Sequence, residues 1–100
     1  MECLFNTFSQ MVTGTVKVLN ENGIHLRLAG ELVKAASRFE SRITIASDEQ
    51  QVDAKSILGV AGLGAEFGVE LLIQATGNDE NEALAFLKQL FENKFAIKDD

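Results

Sequence analysis

The sequence holds a single histidine, His25, which follows Asn22-Gly23-Ile24 and stands two residues before Arg27. An imidazole nitrogen can act as a nucleophile as well as a base near neutral pH. Asn-Gly is a turn signal, and an amphipathic pattern begins just beyond it, so the ring is expected at or near a helix N-terminus. Backbone N–H groups without intrahelical partners gather there and favour an anion. A nucleophile, a fixed cation and a set of N–H donors outline a phosphoryl acceptor.

Ser56 is the second residue of interest. It occupies a helix N-cap position ahead of Ile57-Leu58-Gly59-Val60-Ala61-Gly62-Leu63, with a stop at Gly64. In so short a helix the apolar residues fall on every side, so one core-facing stripe cannot cover them and some apolar surface is expected to stay exposed. The sequence has no cluster of metal ligands, no paired-cysteine motif and no serine, histidine and aspartate order of a hydrolase. Gly62 and Gly64 are too few and wrongly set for a nucleotide loop. No cofactor or metal is therefore expected, and the chain does not read as an independent enzyme.

The elements that must position these residues are legible from periodicity. Thr15-Val16-Lys17-Val18-Leu19 alternates as a strand and is broken by Asn20-Glu21-Asn22-Gly23. From Leu26 to Phe39, Leu28, Leu32, Val33, Ala36 and Phe39 recur at helical spacing, with Glu31, Lys34, Ser37 and Arg38 opposite. Arg42–Ala46 and Gln51–Ala54 flank the polar link Ser47-Asp48-Glu49-Gln50 as a hairpin. Val69, Leu71, Ile73 and Ala75 mark a fourth strand. Asp79 and Glu82 have the form of a capping box before Ala83, Phe86, Leu87, Leu90 and Phe91, and this last helix is expected to close near Asn93. The order predicts an α+β two-layer sandwich, β-α-β-β-α-β-α. Strand order in space stays open, because a ferredoxin-like arrangement begins with the same succession.

One hundred residues make one domain. A formal charge of -6, with only 9 Lys and Arg spread along the chain, argues against nucleic acid and against a membrane surface. No apolar run is long enough to cross a bilayer, so direct membrane insertion is not expected. The single Cys3 cannot form an internal disulfide, which fits a reducing, cytoplasmic setting. Residues 1–10 are expected to be a flexible extension without the pattern of a secretory signal, 11–95 the domain, and 96–100 an acidic tail. Met11 is a possible alternative start.

Three segments carry a resemblance to a known family: Asn20-Glu21-Asn22-Gly23-Ile24-His25-Leu26-Arg27-Leu28-Ala29, Ala54-Lys55-Ser56-Ile57-Leu58-Gly59-Val60, and Thr76-Gly77 ahead of an acidic helix start. Over Met11 to Phe95 the chain resembles HPr, the histidine-containing phosphocarrier of the bacterial sugar phosphotransferase system. The resemblance implies an open-faced sandwich, a four-stranded antiparallel sheet covered on one face by three helices. It implies that His25 accepts a phosphoryl group from phosphoenolpyruvate-charged Enzyme I and passes it to IIA proteins, with Arg27 steadying the group. It further implies an HPr serine kinase/phosphatase acting on Ser56, and docking of partners on Leu26, Ile57, Leu58 and Ala61 of a monomer. One departure stands out, because the family pattern has proline where this chain has Leu28. Two other readings of the same chain are an HPr-like regulatory module in an incomplete phosphotransferase system and a ferredoxin-like small-molecule sensor.

Overall fold

The computed structural model describes residues 11–95. The expected extension over 1–10 and the acidic tail over 96–100 lie outside the described residues. Seven elements follow one another: β1 (Val12–Lys17), α1 (Leu26–Ala36), β2 (Arg42–Ala46), β3 (Gln51–Asp53), α2 (Ile57–Gly62), β4 (Glu70–Thr76) and α3 (Glu80–Glu92). The strands form one antiparallel sheet in the order β1-β4-β2-β3, which settles what the succession of elements left open.

Successive side chains on a strand point to opposite faces, and here the alternation separates core from solvent. On β4, Leu71, Ile73 and Ala75 are buried; on β2, Ile43 and Ile45 are buried. The opposite face is polar, with Thr44 and Gln51 hydrogen-bonded to Gln74 at 3.2 and 3.0 Å. The buried face is covered by Leu28, Ala29, Leu32, Ala35 and Ala36 of α1, Val60 of α2, and Ala83, Leu87, Leu90 and Phe91 of α3. Each large apolar side chain so enclosed contributes about 1.5–3 kcal/mol relative to exposure.

Three details differ from the sequence expectation. β1 starts at Val12 rather than Thr15 and ends at Lys17 rather than Leu19. Gly14 lies on the inward phase of the alternation, and a Cβ at this position would lie 3.3 Å from Leu84 Cδ1, so its absence lets α3 lie close on the strand. α1 ends at Ala36 rather than Phe39, and the chain leaves it through tighter turns in which Arg38 and Phe39 N–H donate to the carbonyls of Ala35 and Ala36, both at 3.2 Å. Phe39 nevertheless packs on Phe86, with ring centroids 5.8 Å apart.

The third is a correction: Asp79 and Glu82 do not form a capping box. The Asp79 carboxylate instead accepts from the backbone N–H of Glu40 at 2.9 Å, the N–H of Ser41 at 3.0 Å, and the Ser41 hydroxyl. One carboxylate meeting three convergent donors is favoured over a single local cap, because hydrogen bonds to an ionised acceptor are the stronger kind. The Ser41 hydroxyl, ahead of the Glu40 and Ser41 amides, holds Asp79 below the usual carboxylate range; partial desolvation opposes them. Glu80, rather than Glu82, reaches back to the helix start, its Oε1 accepting from Gly77 N–H at 2.9 Å.

Candidate functional site

His25 is the N-cap residue of α1, with extended backbone (φ -88°, ψ -177°), and its ring is exposed. The residues on either side explain why. Ile24 is buried before it, and Leu28 and Ala29 are buried after it, so His25, Leu26 and Arg27 form an exposed bridge between two core anchors. Leu28, where the family pattern has proline, is therefore a core residue that pins the first turn of α1.

The turn ahead of the ring is fixed by Gly23. Its N–H donates to Asn20 C=O at 2.9 Å, and its φ of +75° lies in the left-handed region that favours glycine. A Cβ here would also lie 2.5 Å from the carbonyl oxygen of Ala65. That carbonyl belongs to the loop between α2 and β4, and it accepts from Ile24 N–H at 2.9 Å, so the histidine turn is tied to a segment forty residues further along the chain.

The first bond of α1 runs from Ala29 N–H to His25 C=O at 2.8 Å. The N–H groups of Leu26, Arg27 and Leu28 precede it and have no intrahelical acceptor, which is the general condition of a helix start. These donors, with the positive end of the helix dipole, suit an anion held on the His25 ring. Arg27 is exposed and lines a groove with Glu31, Lys34, Ala35, Arg38, Phe86 and Phe95. Among the described residues no hydrogen bond joins its guanidinium to the imidazole. The sequence had not singled out Lys34 and Arg38 as company for Arg27, although their spacing along one helix is visible in it.

Ser56 caps α2 as expected: its Oγ accepts from Gly59 N–H at 3.1 Å, and its backbone is extended. A Cβ on Gly59 would lie 3.2 Å from Val52 Cβ, so this glycine seats the helix against β3. Ile57 and Leu58 are exposed, Leu58 to 82 %, while Ala61 is half-buried against the core. Leu26 is 65 % exposed. It lies one turn before Gly30 on α1, and a Cβ on Gly30 would lie 3.7 Å from Ile57 Cδ1. The starts of α1 and α2 thus lie side by side and share an apolar surface next to His25. Sequence reasoning missed Phe67, an exposed aromatic on the loop tied to Ile24; the glycines at 64 and 68 that bracket it were its only signal.

Together these features define a small open-faced sandwich that presents one imidazole at the mouth of a helix, rimmed by apolar side chains. The family model described as the PTS HPr component phosphorylation site matches residues 12–93. The phosphocarrier protein HPr of Treponema pallidum is 48 % identical over 85 residues, covering 85 % of this chain and 97 % of that protein. HPr of Xylella fastidiosa is 38 % identical over 85 residues, covering 85 % of this chain and 96 % of that protein. The crystal structure of HPr from Thermoanaerobacter tengcongensis superposes with a TM-score of 0.82 at 38 % identity, covering 87 % of this chain and 98 % of that one. The chain belongs to the HPr family. It is a phosphocarrier of the phosphotransferase system, passing a phosphoryl group between other proteins of that system rather than catalysing a reaction of its own. No helix among the described residues is long and apolar enough to cross a membrane.

Proposed function

We propose that His25 is the acceptor and donor of the phosphoryl group, charged by phospho-Enzyme I and discharged to IIA proteins during sugar uptake in the cytoplasm. The unprotonated ring nitrogen attacks phosphorus, a new N–P bond forms, and the bond from phosphorus to the donor breaks with its electron pair returning to the donor atom. Transfer onward is the same exchange in reverse. Phosphoryl transfer depends chiefly on positioning and on stabilising the charge spread over the oxygens. The amides of Leu26, Arg27 and Leu28 and the Arg27 guanidinium supply that stabilisation, and the partner supplies the rest. A carrier must also give the group up, which favours few and exposed contacts over an enclosing pocket. The observation that carries this reading is the exposure of the imidazole at a helix start between two buried anchors.

Leu26, Ile57, Leu58 and Ala61 form the surface on which the partners of this monomer dock. A phosphate on Ser56, placed there by an ATP-dependent HPr serine kinase/phosphatase, adds about two negative charges. Beside Ile57 and Leu58 it imposes a desolvation cost on docking while the helix start still tolerates it. Incubation with Enzyme I and phosphoenolpyruvate tests the assignment: the wild type gains one acid-labile phosphate by mass, and His25→Ala gains none. An equal gain in His25→Ala would place the acceptor elsewhere.

A further inference from the structure

We propose, building on the assignment of His25 as phosphoryl acceptor, that Phe67 is an apolar docking anchor for the protein that charges it. Five large apolar side chains are exposed among the described residues: Met11, Leu26, Ile57, Leu58 and Phe67. Leu26, Ile57 and Leu58 form the surface beside His25 already described. Phe67 is 61 % exposed, whereas the other four described phenylalanines, Phe39, Phe86, Phe91 and Phe95, are packed on or within the core.

Its loop is held firmly against the histidine turn. Ile24 N–H donates to Ala65 C=O at 2.9 Å, Val69 N–H to Glu66 C=O at 3.1 Å, and Gly68 N–H to Val18 C=O at 2.8 Å. The Glu66 Cα lies 3.0 Å from where a Cβ of Gly23 would stand. Consecutive Cα atoms are about 3.8 Å apart, so the Phe67 Cα is within roughly 7 Å of that point, two residues from His25. The phenyl ring is thus carried, exposed, by a loop that abuts the histidine turn and cannot move without disturbing Gly23.

A donor that delivers a phosphoryl group to His25 must close around the imidazole and meet the loop that abuts its turn. The chemistry it has to offer is an apolar pocket for the phenyl group with a cation for Glu66, which is exposed beside it. Aromatic side chains that fill such pockets carry a disproportionate share of binding energy.

Initial rates of phosphoryl transfer from phosphoenolpyruvate-charged Enzyme I to wild type, Phe67→Ala, Phe67→Leu and His25→Ala test this, with thermal unfolding confirming that each variant is folded. The expected result is a KM for Phe67→Ala raised about five- to thirtyfold with kcat within twofold, and a KM for Phe67→Leu close to wild type. An unchanged KM for Phe67→Ala with phosphate still on His25 overturns the role of Phe67 alone. A concentration-dependent dimer abolished by Phe67→Ala, at unchanged KM, assigns the ring to a second copy of the chain and likewise overturns it. Phosphate on His25→Ala equal to wild type overturns the assignment of His25, and the Phe67 proposal with it.

Discussion

Replacing Gly23 by alanine probes how the histidine turn is fastened to the rest of the domain. The backbone there has φ +75°, and an L-residue in the left-handed region costs about 1–2 kcal/mol. The new Cβ would lie 2.5 Å from Ala65 O and 3.0 Å from Glu66 Cα, both backbone atoms with no side-chain freedom to yield. Moving them to ordinary contact stretches the 2.9 Å bond from Ile24 N–H to Ala65 C=O, and losing it costs a further 0.5–1.5 kcal/mol or so. The two effects together predict a loss of about 1.5–3.5 kcal/mol, or roughly 6–28 °C in Tm for a domain of this size. Gly64→Ala isolates the first effect, since Gly64 has φ +61° but nothing within 4 Å of its Cβ position. Gly62→Ala removes both, being helical with open space, and should be neutral or stabilising by up to about 1 kcal/mol. Urea unfolding of the three variants at 25 °C ranks them, with Gly23→Ala the least stable. Equal stability of Gly23→Ala and Gly64→Ala would refute the close approach of the two loops as an energetic constraint.

Ser56→Ala removes the acceptor for Gly59 N–H and should cost about 0.5–2 kcal/mol in urea unfolding, whereas Ser56→Asp keeps a capping oxygen and near-wild-type stability while slowing transfer from Enzyme I. Unchanged transfer in Ser56→Asp would leave Ser56 a cap and nothing more. Asp79 has a folded pKa below its unfolded value, so the stability it contributes is fully present above the ordinary aspartate pKa of about 3.9 and is lost as pH falls through the lower, folded value. Asp79→Asn should accordingly flatten the acid limb of a pH titration of the unfolding midpoint below about pH 4, and an acid limb as steep as wild type would contradict it. Arg27→Ala, at an exposed position, should change stability by less than about 0.5 kcal/mol yet lower the rate of phosphoryl transfer several-fold, as single-turnover measurements would reveal.

What could be read before the structure was whatever is encoded over a few residues. The 3.6-residue recurrence of Leu28, Leu32 and Ala36 gave the buried stripe of α1, the two-residue recurrence of Leu71, Ile73 and Ala75 gave β4, and Asn22-Gly23 and Ser56 marked a turn and a cap that both form. What could not be read depends on partners far along the chain. Asp79 looks like a local cap because sequence spacing shows only local donors; the Glu40 and Ser41 donors that capture it arrive through the packing of α1 against the sheet. The expected first strand began at Thr15, and the position of α3 above Gly14 shows how β1 continues through that glycine. The same limit hid the hold of Ala65 on Ile24, and with it the loop that carries the exposed Phe67.

The most direct test is a two-dimensional amide NMR spectrum of the uniformly labelled protein before and after charging with Enzyme I and phosphoenolpyruvate, recorded with the phosphorus spectrum of the same sample. A phosphoramidate phosphorus signal and the largest amide shifts at His25, Leu26, Arg27 and Leu28 are the predicted result. A phosphorus signal of ester type, or amide shifts centred away from the start of α1, would contradict it.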